Sequence, residues 1–130
     1  MGKLNAWSSR VLSVLRIVTA LLFMEHGAMK LLHFPAPFPA PPGGLPPLLI
    51  VAGVLELLGG GLLAVGLFTR LVAFLLSGEM AVAYFMVHAP HSFYPVLNMG
   101  EPAVLYCFIF FYLVFAGGGV WSIDRLLGRK

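Results

Sequence analysis

An all-α, polytopic membrane protein, a bundle of four transmembrane helices with both termini on the cytoplasmic side, is what this sequence predicts. Three observations predict it. Hydrophobic residues fill 60% of the 130 positions and charged residues only 10%, whereas about a quarter of the residues in a soluble domain are charged. Four apolar runs, at residues 11–32, 48–68, 71–89 and 103–120, each approach the ~20 residues a helix needs to cross a hydrocarbon core. Lys3, Arg10, Arg70, Arg125, Arg129 and Lys130 stand where those runs begin or end, and four crossings put them all on one side. By the positive-inside rule that side is the cytoplasm. The net charge of +3 is thus a topology signal. The basic residues form no patch suited to phosphate recognition, and nucleic acid is not an expected partner. One transmembrane domain spans residues 1–130.

The first run is preceded by Lys3 and Arg10, as in a signal peptide. It continues past Arg16 without a small-x-small cleavage site, so it reads as a retained span. Residues 35–47, PAPFPAPPGGLPP, are too proline-rich for a helix or a central strand. They should be extended, with a turn at Gly43 and Gly44. This loop is either a spacer or a lid over an outward-facing pocket. In the second run, Ala52, Gly53 and Gly60 share the face of Glu56, where a neighbouring helix can approach closely. Thr69 and Arg70, after Gly66, separate the second and third runs into a tight helical hairpin. A second outer loop carries His91, Tyr94 and Asn98, and Pro102 suits the first turn of the fourth helix.

Each span carries one glutamate in it or at its edge: Glu25, Glu56, Glu79 and Glu101. A charge in hydrocarbon costs at least a few kcal/mol, so such residues pair, neutralise or face a wet cavity. Arg16 lies roughly 9 Å along the first helix from Arg10, and Glu79 about 13 Å along the third from Arg70. That shared level predicts a structural ion pair between Arg16 and Glu79. Toward the outer mouth, His26, Lys30, Glu56, His88 and Glu101 are expected to form a polar pocket. Glu56 itself has two readings, a helix-packing contact or a proton-transfer and quinol-binding group. Leu105, Phe108, Tyr112 and Phe115 run below Glu101 as an aromatic and aliphatic stripe, either facing core and lipid or walling a flat cavity. Glu25 points elsewhere, toward the interface or a second protomer, and the glycine-rich second helix or the fourth offers a homodimer contact.

The single cysteine, Cys107, provides neither a disulfide nor a Cys-x-x-Cys pair and reads as a packing residue. No Glu-x-x-His occurs, so a di-iron carboxylate bundle is not expected. Only His26 and His88 could face each other across a haem, no spacing demands zinc, and no metal site is predicted.

The chain resembles the DoxX family of small four-helix bacterial membrane proteins. The resemblance rests on Arg16, on His26-Gly27 followed by Lys30, on Gly53-x-x-Glu56-x-x-Gly59, and on Gly66 before Arg70. Further on it includes Gly78-Glu79-Met80 with Ala83 and Tyr84, His88-x-Pro90, Asn98-x-Gly100-Glu101, Gly117-x-Gly119 and Ser122-x-Asp124. Met99 stands where a second glycine is common. The resemblance implies a bacterial inner-membrane protein associated with redox chemistry, quinone- or thiol-linked, with quinone as the candidate cofactor and a soluble or membrane oxidoreductase as the candidate partner. It assigns no catalytic residue, and the chain is at most a membrane subunit of a quinone-linked oxidoreductase. Two alternatives stand beside this. One is a scaffold anchoring a soluble oxidoreductase through Arg125, Arg129 and Lys130; the other is a small proton-coupled transporter with Glu56 and Glu79 as relay.

Overall fold

A computed structural model describes the whole chain, Met1–Lys130, and contains helices and loops with no strand. Helix α1, Gly2–Leu32, ends where His33 turns left-handed and residues 35–46 take up their proline-rich course. Helix α2, Pro47–Val65, starts with proline in its first turn, where the missing N–H costs nothing. It stops at Gly66, whose φ of 72° suits glycine. Helix α3, Thr69–His88, is followed by a short α4, Pro95–Asn98, then α5, Glu101–Ala116, and a final turn α6, Ile123–Leu126. The α1, α2 and α3 helices are each long and apolar enough to cross a membrane. Helix α5 is equally apolar, but its 16 residues extend only ~24 Å. The fourth apolar run was expected to reach residue 120; the helix breaks earlier because Gly117 and Gly119 take positive φ and fold the chain back.

The four longer helices run alternately up and down. One end of the bundle holds both termini and the α2–α3 turn, and the other holds the two longer loops. Helix α1 packs along α2, and α3 packs most extensively on α5. Gly27 and Gly53 set the α1–α2 seam: a Cβ on Gly27 would lie 2.7 Å from both the Gly53 carbonyl oxygen and the Leu57 nitrogen. Between the helices lies a small core of Ala20, Phe23, Leu63, Leu76, Phe110 and Leu113 with their neighbours. Most other large apolar side chains, among them Leu21, Leu58, Phe74 and Phe108, point outward, the distribution of a protein whose surroundings are hydrocarbon.

The end with the termini is closed by polar contacts over long sequence separations. Arg16, 1% exposed, donates to the carbonyls of Gly118, Trp121 and Ala64. The Asp124 carboxylate accepts from the backbone N–H of Phe68 at 2.9 Å and of Thr69 at 2.8 Å. It therefore caps α3 from a segment some fifty residues away, where the helix dipole favours a negative charge. Burial alone would raise the Asp124 pKa, but the N–H groups of Thr69 and Phe68 and the Arg129 guanidinium outweigh it and hold the carboxyl below the usual range. A depressed folded pKa contributes stability that is fully present above the unfolded value of ~3.9 and is lost as pH falls through the folded value. Unfolding midpoints of the wild type and Asp124→Asn should thus differ near neutrality and converge below pH ~4. A gap independent of pH would remove the charge from the cap.

Candidate functional site

The chemistry gathers at the opposite end. Lys30, in the last turn of α1, places Nζ 2.7 and 2.9 Å from the two Glu56 oxygens. Both side chains are nearly sealed, 8% and 5% exposed. The pair forms because Gly27, one turn before Lys30, lets the α2 backbone close on α1 opposite Glu56. At that point α2 departs from regular helix: Leu55–Gly59 form a π-helical turn. A second π turn, Tyr84–His88, ends α3. Wide turns of this kind are uncommon and recur at functional sites, where they re-aim side chains at small cost.

Near Leu55–Val65 the lower part of α2 meets α3, whereas its first two turns, Pro47–Val54, lean on α1. The helices diverge toward the loop end and leave a cavity of about 640 Å³. Its walls are mostly apolar, from Leu48, Val51, Leu75, Val82 and Met86. Five ionisable groups from α1, α2 and α3 converge on it, His26, Lys30, Glu56, Glu79 and His88, with Tyr106 of α5 beside them. Both Glu79 carboxyl oxygens are buried and have no hydrogen-bond partner. The His88 ring is held by an Nδ1 contact of 3.0 Å to the Asn98 carbonyl. Phe38, from the proline-rich loop, lies over the Lys30 ammonium at 5.1 Å, and its N–H bonds the Met29 carbonyl. The loop thus contributes a side chain to the cavity mouth.

Of the five residues expected to form the pocket, His26, Lys30, Glu56 and His88 do meet here. Glu101 does not: it is exposed at the start of α5, and the inward positions of that turn belong to Pro102 and Ala103. The Arg16–Glu79 pair does not form either. Arg16 is taken up by the carbonyls of the loop after α5, and Glu79 turns into the cavity beside Lys30 and Glu56. Leu105, Phe108, Tyr112 and Phe115 all face outward. The inward aromatics of α5 are Tyr106 and Phe110, which pack against Phe23, and Tyr106 also meets the His26 ring edge-on at 5.9 Å. Tyr106 lines the cavity and was not anticipated; the helix is apolar all round and carries a second tyrosine, Tyr112, that faces outward, so the sequence held no signal to choose between them. Glu25 is exposed, and Cys107 packs beside Ser77. No group of three or more His, Cys, Asp or Glu is placed to hold a metal ion.

A cavity with this lining is shaped for an amphipathic molecule, with apolar surface for its body and a few polar groups for its head. A family model described as DoxX matches residues 11–89, the segment holding Lys30, Glu56, Glu79 and His88. The chain is similar over its full length to an uncharacterized protein of Haemophilus influenzae, 43% identical over 134 residues with both chains covered completely. No solved structure matches. On the family match, the full-length likeness and its long apolar helices, the chain belongs to the DoxX family of membrane proteins.

Proposed function

We propose that this protein is a four-span subunit of a bacterial inner membrane, with both termini cytoplasmic, that binds a quinoid molecule in the cavity between α1, α2, α3 and α5 and serves a redox process. The observation that carries the binding reading is the buried, unpartnered Glu79 carboxyl in an otherwise apolar cavity. An unsatisfied polar group in hydrocarbon costs several kcal/mol, and a ligand carrying a carbonyl or hydroxyl relieves that cost. The apolar walls of α2 and α3 offer surface to a flat ring, and Tyr106, His26 and His88 line the same cavity. The topology rests on the six basic residues that flank the spans at the end with the termini, beside the buried Arg16, and on the loop end, where Lys30 is the one Lys or Arg and is already paired.

A quinone bound there would supply two-electron, two-proton chemistry. The chain's own part is to hold the head group at Glu79 and the histidines, and to keep water out with Phe38 and the α2 and α3 side chains. Cys107 is single, so reducing equivalents come from a partner oxidoreductase.

Protein purified from native membranes should release quinone on solvent extraction and bind a soluble short-chain quinone analogue. Glu79→Gln should weaken that binding about tenfold, the cost of one hydrogen bond to a charged or strongly polar group. Glu101→Gln should leave it unchanged. A quinone-free protein indifferent to the analogue overturns the reading.

A further inference from the structure

A second cavity, about 310 Å³, lies at the end with the termini, between the α2–α3 turn and the chain after α5. Arg70, Arg125, Arg129 and Lys130 line it, against one acidic side chain, Asp124. That carboxylate is already engaged by the N–H groups of Phe68 and Thr69 and stands 3.8 Å from Arg129. Four cationic side chains therefore line a space whose one acidic side chain is occupied. The Arg70 guanidinium is fixed by the carbonyls of Val114 and Phe115 through one nitrogen and by the Lys130 carbonyl through Nε. Its other terminal nitrogen borders Gly117, where a Cβ would come within 3.2 Å of it. Glycine at that position leaves one edge of a pre-oriented guanidinium open. Planar guanidinium forks suit phosphate oxygens.

The rest of the lining argues for the source of the phosphate. Phe68 and Leu71 border the same space and are 48% and 62% exposed. From Leu71 the exposed apolar surface continues along α3 to Phe74, three residues on and hence on the same face. Trp7 and Trp121 are exposed toward the same end, with Arg10 over the Trp7 ring at 5.0 Å, as aromatic side chains are at a membrane interface. A soluble anion needs no apolar margin beside its charged site; a phospholipid needs both. We infer that this cavity binds the phosphodiester headgroup of an anionic membrane lipid, of phosphatidylglycerol chemistry, with an acyl chain lying along Leu71 and Phe74. This site is independent of the quinoid cavity and of any redox role.

The test reconstitutes the full chain in nanodiscs of phosphatidylcholine with a minor fraction of phosphatidylglycerol, and measures by native mass spectrometry which lipid stays bound on release. Wild type should retain phosphatidylglycerol in several-fold preference to phosphatidylcholine. Arg125→Gln, an exposed side chain with no partner in the fold, should reduce that preference about fivefold, the effect of one cation near an anionic surface. Arg125→Lys should retain it. Equal retention of the two lipids overturns the inference, as does full preference in Arg125→Gln combined with Lys130→Gln. Displacement of phosphatidylglycerol by inorganic phosphate would assign the site to a free anion instead, and displacement by polyglutamate to an acidic protein; either result overturns the lipid.

Discussion

Replacing Lys30 with methionine is expected to destabilise the bundle by about 3–5 kcal/mol, the cost of stranding one member of a buried ion pair. Lys30 and Glu56 are both nearly sealed and joined by two hydrogen bonds, so solvent does little to screen the loss. The companion prediction distinguishes a stranded charge from lost packing. Lys30→Met with Glu56→Leu should recover most of the stability, because a buried pair replaced by apolar groups of similar volume is often neutral. Reversible unfolding in mixed detergent measures both. A single variant costing under ~1 kcal/mol would mean that the pair does not hold α1 on α2. The double variant should also lose the quinone analogue, since it removes the polar floor of the cavity while the fold survives.

At the other end, Arg16→Met should cost about 3 kcal/mol or more. It removes the donor from the carbonyls of Gly118, Trp121 and Ala64 in a space closed to water. The damage should be local. Limited proteolysis is expected to cut after Ala116 sooner than in wild type, while binding at the loop end stays intact. Arg16→Lys should recover only part of the loss, because a lysine ammonium does not reproduce the fork that reaches several carbonyls at once. Equal protection of the segment after α5 in wild type and Arg16→Met would show that the arginine is not what fastens it.

These two sites also show what was legible in the sequence. The apolar runs fell within three residues of α2 and α3, since length and hydropathy decide crossing, whereas α1 begins at Gly2, nine residues before its run, because helix continues through the polar turn ahead of Val11 where hydropathy gives no signal. Gly53 and Gly60 correctly marked the close face of α2, because small residues are the means by which helices approach in hydrocarbon. Lys30 and Glu56 were both assigned to the pocket but not to each other. The pairing of Arg16 with Glu79 failed for an instructive reason. Counting residues gives depth along a helix but not direction around it, and it ignores backbone carbonyls, which outnumber carboxylates as partners for a buried guanidinium. The carbonyls that take Arg16 come from a loop more than a hundred residues away. The same blindness to direction left Leu105, Phe108, Tyr112 and Phe115 open between lipid contact and cavity wall, and passed over Tyr106: α5 is apolar on every side, so hydropathy does not say which side is inside. The π turns beneath Glu56 and His88 leave no composition signal, because one wider turn changes hydrogen-bond register rather than residue type.

The Asp124 cap has a consequence for how the molecule is made. During synthesis α1, α2 and α3 emerge from the ribosome before residue 124 does, so the α2–α3 hairpin first forms with its turn uncapped and Arg16 without the carbonyls of Gly118 and Trp121. Only when the final segment emerges can it reach back, seat Arg16 and close on Phe68 and Thr69. Arrival of the segment after α5 is thereby coupled to completion of the fold. A product stopped short of Ser122 would present an unfastened hairpin at the membrane surface, the kind of frayed end that quality-control proteases recognise.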